Sequence, residues 1–172
     1  ENVTPDKILS THRLRTIERI LQEKVCLLVH DSSEIELTCP NQQVKGAGPL
    51  SSESRFGHYL HPLIAYTPRR LNLGTVWAKT WAREKIDTKR TPEEKSKHLE
   101  TVPIEEKESF RWLEGQRQAK AVAEICADTQ CVLVGDSETD IYEVFSESRQ
   151  TAHGRPLELL IRGCQNRATD LE

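Results

Sequence analysis

The stretch VLVGDSETDIY, residues 132–142, decides how the chain is read. A short apolar run closed by Gly-Asp reads as a buried strand, and Ile141, Val144 and Phe145, at i, i+3 and i+4, then predict a helix. Asp136 is thereby placed at the carboxyl end of a strand, the edge where ligands gather in open α/β sheets. Two roles compete for it. One is chemical; the other is a cap that accepts hydrogen bonds from the free backbone N–H groups of the turn that follows.

Working outward, VCLLV (25–29) is a second buried strand, and it too closes on an aspartate, Asp31. Ahead of it, residues 6–24 space Ile8, Leu9, Leu14, Ile17, Ile20 and Leu21 as a leading amphipathic helix. Residues 38–57, with KGAGPL at 45–50, read as a long loop. HYLHPLIAY (58–66) and LNLGTVWAKTW (71–81) read as strands joined by TPRR into a hairpin. Residues 82–102 form a charged, solvated excursion. Pro103 opens a long helix with Glu105, Glu106 and Glu108 near its N-terminus, where the helix dipole favours acids. The Asp136 strand, a helix over about 138–148 and a last strand at 157–163 complete the order.

Short connections make the first three of these strands an antiparallel meander, and helical crossovers make the last two parallel to the first. The expected class is α/β with a mixed five-stranded sheet, the arrangement of a ribonuclease H-like fold. With the fourth strand beside the first, Asp31 and Asp136 emerge together at one edge. Adjacent carboxylates repel and persist as anions when a cation neutralises them. Oxygen-only ligands favour Mg²⁺ or Mn²⁺. Two such ions activate a nucleophile and stabilise a leaving oxygen, which is the chemistry of phosphodiester transfer.

Composition narrows the classes. At 172 residues and 19.7 kDa the chain suits one domain, and a net charge of −3 with a pI near 6.1 describes an ordinary soluble protein. Charge is uneven: residues 69–98 carry nine Lys or Arg against four acids, and residues 99–172 carry eight against fifteen. Five cysteines without a CxxC pair suggest a reduced, cytoplasmic protein. Cys126 and Cys131 lack a second pair for zinc. His58 and His61, three apart in a strand, face opposite ways. No apolar run approaches the length of a membrane span, and the absence of methionine suggests a processed or excised piece of a longer protein.

The blocks VCLLVHDSSEIELT, KGAGPL, HPLIAYTP, LGTVWAKTWAR, EEKESFRWLEG and VLVGDSETDIYEVF, in this order, resemble the catalytic domain of the insertion-sequence-four family of bacterial DDE transposases, the relatives of the Tn-five transposase. The resemblance covers most of residues 6–163. It implies a ribonuclease H-like fold, Mg²⁺ or Mn²⁺ as cofactor, double-stranded DNA (transposon ends and target) as partner, self-association of the full-length protein on DNA, and a bacterial, nucleoid-associated location when bound. Asp31 and Asp136 match the family's first and second catalytic acids. The third acid, a Glu on a later helix, has no counterpart, and Ser137 stands where the family commonly has Arg. The expectation is a partial catalytic domain over 1–172 that binds metal weakly and does not complete strand transfer.

Other residues are weighed singly. Arg83, Lys85, Lys89 and Arg90 suit phosphate contact, which needs clustered mobile cations; Lys45 sits in the loop that would position DNA near Asp31. Asp140 is either a support for the metal or, the favoured reading, a hydrogen-bonding residue of its own turn. Glu34 and Glu36 read as strand-edge surface residues. Trp77, Trp81 and Trp112 read as core in preference to base-stacking platforms. Two other functions compete. One is a catalytically inert DNA-binding or interaction domain. The other is a haloacid-dehalogenase-type phosphatase, whose late acidic motif VLVGDSETDI resembles; its early DxD is here Asp31-Ser32-Ser33.

Overall fold

β1 (Val25–His30) is the strand around which the fold is organised. In the computed structural model, which describes residues 3–39, 44–52, 54–83, 91, 93–94, 98 and 101–166 (the side chains of 5 and 6 excepted), the chain divides into two compact units. The first comprises Glu1–Asp31, Leu63–Trp77 and Trp112–Glu172; the second, Ser32–Pro62 and Ala78–Arg111.

In the first unit β1 runs parallel to β6 (Gln130–Gly135), with Cys26 opposite Cys131, Leu28 opposite Leu133 and Val29 opposite Val134. On its other edge it runs antiparallel to the second half of β4 (Phe56–Tyr66). β5 (Asn72–Trp81) returns beside β4 through a tight turn in which Thr67 N–H bonds Leu71 O and Arg70 N–H bonds Thr67 O, both at 2.9 Å. β7 (Glu158–Ile161) adds in parallel to β6. The order is therefore β5-β4-β1-β6-β7, an α/β mixed sheet as the connection lengths predict.

One face of this sheet is sealed. Cys26, Leu28, Leu63, Ala65, Cys131 and Leu133 are fully buried beneath Ile17 and Ile20 of α1 (Pro5–Ile20) and Ala119, Val122, Ala123 and Cys126 in and after α2 (Phe110–Ile125). The small side chains of α2 let the helix approach the strands closely. The opposite face is apolar as well, with Val25, Leu27, Val29, Ile64, Val132 and Val134, yet these are only half-buried, and Leu160 is 60% exposed.

α1 is shorter and less amphipathic than its spacing predicts. Its buried arc is Thr16, Ile17 and Ile20, whereas Ile8 and Leu14 are more than 60% exposed. Ile8 stands nine residues, about two and a half turns, before Ile17 and so faces the other way. Residues 21–24 are spent turning into β1, and the hydroxyl of Thr129 closes the helix end by donating to Ile20 O (3.2 Å) and Glu23 O (2.9 Å).

In the second unit β2 (Ser33–Glu36) and β3 (Gly48–Pro49) pair antiparallel with the first half of β4. The described strands thus number seven, not five. β2 and β3 escape a pattern reading because one is polar and the other only two residues long. Gly48 belongs to close packing: a Cβ there would lie 1.9 Å from Arg83 O.

Two predicted helices change at their ends. Ile104–Glu106 is a 3-10 turn, Lys107 is extended (φ −89°, ψ 148°), and α2 begins only at Phe110, so the three glutamates precede the helix. The segment after β6 is a 3-10 turn (Ser137–Thr139) followed by the short α3 (Tyr142–Ser146), not one helix over 138–148. Asp140, at φ −74° and ψ 63°, breaks the run. Much of the charged excursion at 82–102 lies outside the described residues.

Candidate active site at the carboxyl edge of β1 and β6

Asp31 directly follows β1 and Asp136 directly follows β6, and the parallel register, last paired at Val29 and Val134, brings both out at the same edge of the sheet. Strand alternation carries both onto the half-covered face, and both are exposed. The two acids that sequence reasoning picked out thus follow the ends of adjacent parallel strands.

Of the two roles weighed for Asp136, the cap is the one seen. Its Oδ1 accepts from Glu138 N–H at 2.9 Å, capping the Ser137–Thr139 turn. This bond orients the carboxylate without burying it. Gly135 is required for a steric reason: a Cβ there would meet Thr139 Oγ1 at 2.3 Å, and Thr139 is itself fully buried. Gly135→Ala is expected to push the turn outward at a cost of about 1–3 kcal/mol, the scale of overpacking in a tight site. Chemical denaturation measures the loss, and an unchanged midpoint would show that the turn yields freely.

Asp140 has the structural role favoured for it: its backbone N–H closes the Ser137–Thr139 turn on Ser137 O, and its side chain reaches further. It is 3% exposed, and its Oδ2 accepts from the backbone N–H groups of Cys164 (2.6 Å) and Gln165 (2.8 Å). The buried carboxylate therefore ties the chain leaving β7 to the turn leaving β6. On the sealed side, His30 precedes Asp31, is 1% exposed and packs edge-on against Trp112 at 4.9 Å and 88°. Burial pushes its pKa down to about 4, so the imidazole is neutral at physiological pH.

The second unit carries a polar constellation that sequence reasoning did not assemble. Ser32 Oγ lies 2.9 Å from His61 Nδ1 and accepts from Arg111 Nε at 2.9 Å. Arg83 is not the mobile cation expected of a phosphate contact. Its guanidinium pairs with both carboxylate oxygens of Glu108, donates to Tyr59 Oη and lies 4.4 Å from the Tyr59 ring centroid. The Arg83 hydrogen bonds hold the Glu108 carboxyl below its usual range. Lys45 is exposed in the turn before β3; Lys85, Lys89 and Arg90 lie outside the described residues. Glu34 and Glu36, at the surface of β2, share Arg55 at 2.8 and 3.0 Å.

The tryptophans serve packing. Trp112 is 1% exposed, Trp77 lies against the core, and Trp81 stacks on Tyr59 at 5.3 Å. Cys26, Cys126 and Cys131 are buried free thiols whose pKa values burial raises to about 12, 11 and 12, so they are unreactive core residues.

Among the described residues no three His, Cys, Asp or Glu side chains come together as a metal-holding group, and no helix is long and apolar enough to cross a membrane. Asp31 and Asp136 supply a two-carboxylate, oxygen-only donor set. That set suits a hard divalent cation which completes its sphere with water and phosphate oxygens. The chain matches no protein-family model and no curated protein.

Proposed function

We propose that the chain is a DNA transposase core of the insertion-sequence-four type, a ribonuclease H-like domain in which Asp31 and Asp136 hold Mg²⁺ or Mn²⁺ against a DNA phosphodiester. The observation that carries this reading is the β1–β6 register, which brings two exposed carboxylates to the ends of adjacent parallel strands. The strand order β5-β4-β1-β6-β7, antiparallel then parallel about β1, supports it.

A metal held there would supply activation of an attacking oxygen and charge neutralisation at the phosphate. Asp31 and Asp136 would hold it, and the hydrogen bond from Glu138 N–H orients the Asp136 carboxylate. With two acids and no third beside them among the described residues, metal binding is weak and strand transfer by this chain is not expected. The capping bond of Asp136 also fits an inert DNA-binding module. A phosphatase of the haloacid-dehalogenase type is less well supported, because β4 lies antiparallel against β1.

Fluorescence anisotropy with duplex DNA separates these. The transposase reading predicts binding that Mn²⁺ strengthens in the wild type and not in Asp31→Asn or Asp136→Asn. Equal, metal-independent binding by all three proteins indicates the inert module. Mn²⁺- or Mg²⁺-dependent hydrolysis of a small phosphate ester without DNA binding indicates the phosphatase.

A further inference from the structure

Asp136, Asp140 and the chain leaving β7 all belong to the first unit. Between the two acids the backbone makes a single 3-10 turn, in which Thr139 N–H bonds Asp136 O at 3.1 Å and Asp140 N–H bonds Ser137 O at 3.3 Å. Asp140, at φ −74° and ψ 63°, then reverses the chain in an inverse γ-turn, with Ile141 N–H on Thr139 O at 2.8 Å. So short a turn at a sheet edge opens easily unless its ends are anchored.

The chain leaving β7 anchors both ends. At the near end Gly135 O accepts from Arg162 N–H at 3.1 Å, which continues the β6–β7 ladder to the residue before Asp136. At the far end the Asp140 carboxylate is buried, and its Oδ2 accepts from the N–H groups of Cys164 (2.6 Å) and Gln165 (2.8 Å). Hydrogen bonds to an ionised acceptor are the shorter and stronger kind. Cys164 Sγ adds a contact to the middle of the turn, donating to Ser137 O at 3.3 Å.

We propose that Asp140 is a positioning residue for Asp136: by clasping the backbone at Cys164 and Gln165 it fixes the turn whose first residue presents a carboxylate to a divalent cation. The proposal rests on the metal reading of Asp136. Asp140 acts through the backbone and through its acceptor oxygen, so its negative charge is dispensable for the role. Groups that orient metal ligands from behind commonly alter affinity by about 10–100-fold when removed.

The test uses the whole chain with Mn²⁺ as the probe, comparing wild type with Asp140→Ala, Asp140→Asn and Gln165→Pro. Affinity is read from paramagnetic broadening of the amide signals around Asp136, stability from the melting temperature without metal, and local order from NMR relaxation of residues 136–138. Asp140→Ala is expected to weaken Mn²⁺ binding about tenfold or more and to loosen residues 136–138, with Leu28 and Leu133 unchanged. Asp140→Asn keeps the acceptor oxygen and is expected to retain wild-type affinity. Gln165→Pro removes one donor N–H from the far side of the clasp and is expected to weaken binding in the same sense. Should Asp140→Ala not fold, the other two variants carry the test. Mn²⁺ binding unchanged in a folded Asp140→Ala, or in Gln165→Pro where the alanine variant does not fold, would overturn the proposal and leave the metal reading standing. So would a loss in Asp140→Asn as large as in Asp140→Ala, which would make the charge of Asp140 the cause. A wild type whose signals around Asp136 ignore Mn²⁺ would overturn both.

Discussion

Replacing Trp112 by alanine is expected to lower stability by about 3–5 kcal/mol, the range for deleting a large aromatic from a packed interior. Trp112 is 1% exposed at the start of the buried face of α2, and its ring meets His30 edge-on. The cost has two parts: the transfer free energy of the indole, and the cavity left over β1 because helix and strand relax only partly. Urea denaturation reads it as a fall in midpoint with the slope nearly unchanged. A loss under 1 kcal/mol would mean that α2 collapses freely onto the sheet and that Trp112 is not what holds it there.

Acid is expected to remove about 3 kcal/mol of stability through His30 alone. Burial holds its folded pKa at about 4, against about 6.5 in an unfolded chain. Between these values the unfolded chain binds the proton and the folded protein does not, so stability falls as the pH falls through that window and levels off below it. Above about 6.5 the contribution is constant. His30→Leu, which keeps bulk and removes the titration, should flatten the curve between pH 6.5 and 4 whatever it does to the baseline. A variant whose pH curve keeps the wild-type slope would place the acid sensitivity elsewhere, for instance on the Arg-paired Glu34, Glu36 and Glu108, whose lowered pKa values also favour the fold at higher pH.

These residues also mark how far the sequence could be read. The strands ending at Asp31 and Asp136 were legible because unbroken apolar runs signal parallel strands whose faces are both apolar. The β4–β5 hairpin was legible from its length and Pro-led turn. β2 was not, because Ser33–Glu36 is mostly polar and earns its place through cross-strand pairing and Arg55. The start of α2 was displaced because Lys107 is extended. The structural role of Asp140 was legible, but its partners Cys164 and Gln165 were not, because they lie 24 and 25 residues on.

The polar groups of each unit divide in the same way. Asp31 and Asp136 could be paired from connection lengths alone, since topology fixes which strands are neighbours. Ser32, His61 and Arg111 could not, because their meeting depends on register and on where α2 begins. Arg83 looked like a free cation in a basic stretch; only the fold reveals Glu108 and Tyr59 around its guanidinium.

The central claim is that Asp31 and Asp136 share one divalent cation, and a Mn²⁺ titration of thermal stability tests it most directly. A ligand that binds only the folded state stabilises it by mass action, by about 2.7 kcal/mol at a hundredfold excess over the dissociation constant. The wild type is expected to melt at rising temperature as Mn²⁺ is added, and Asp31→Asn and Asp136→Asn are each expected to lose that rise. A Mn²⁺-dependent rise that survives in either variant, or no rise in the wild type, would contradict a shared site.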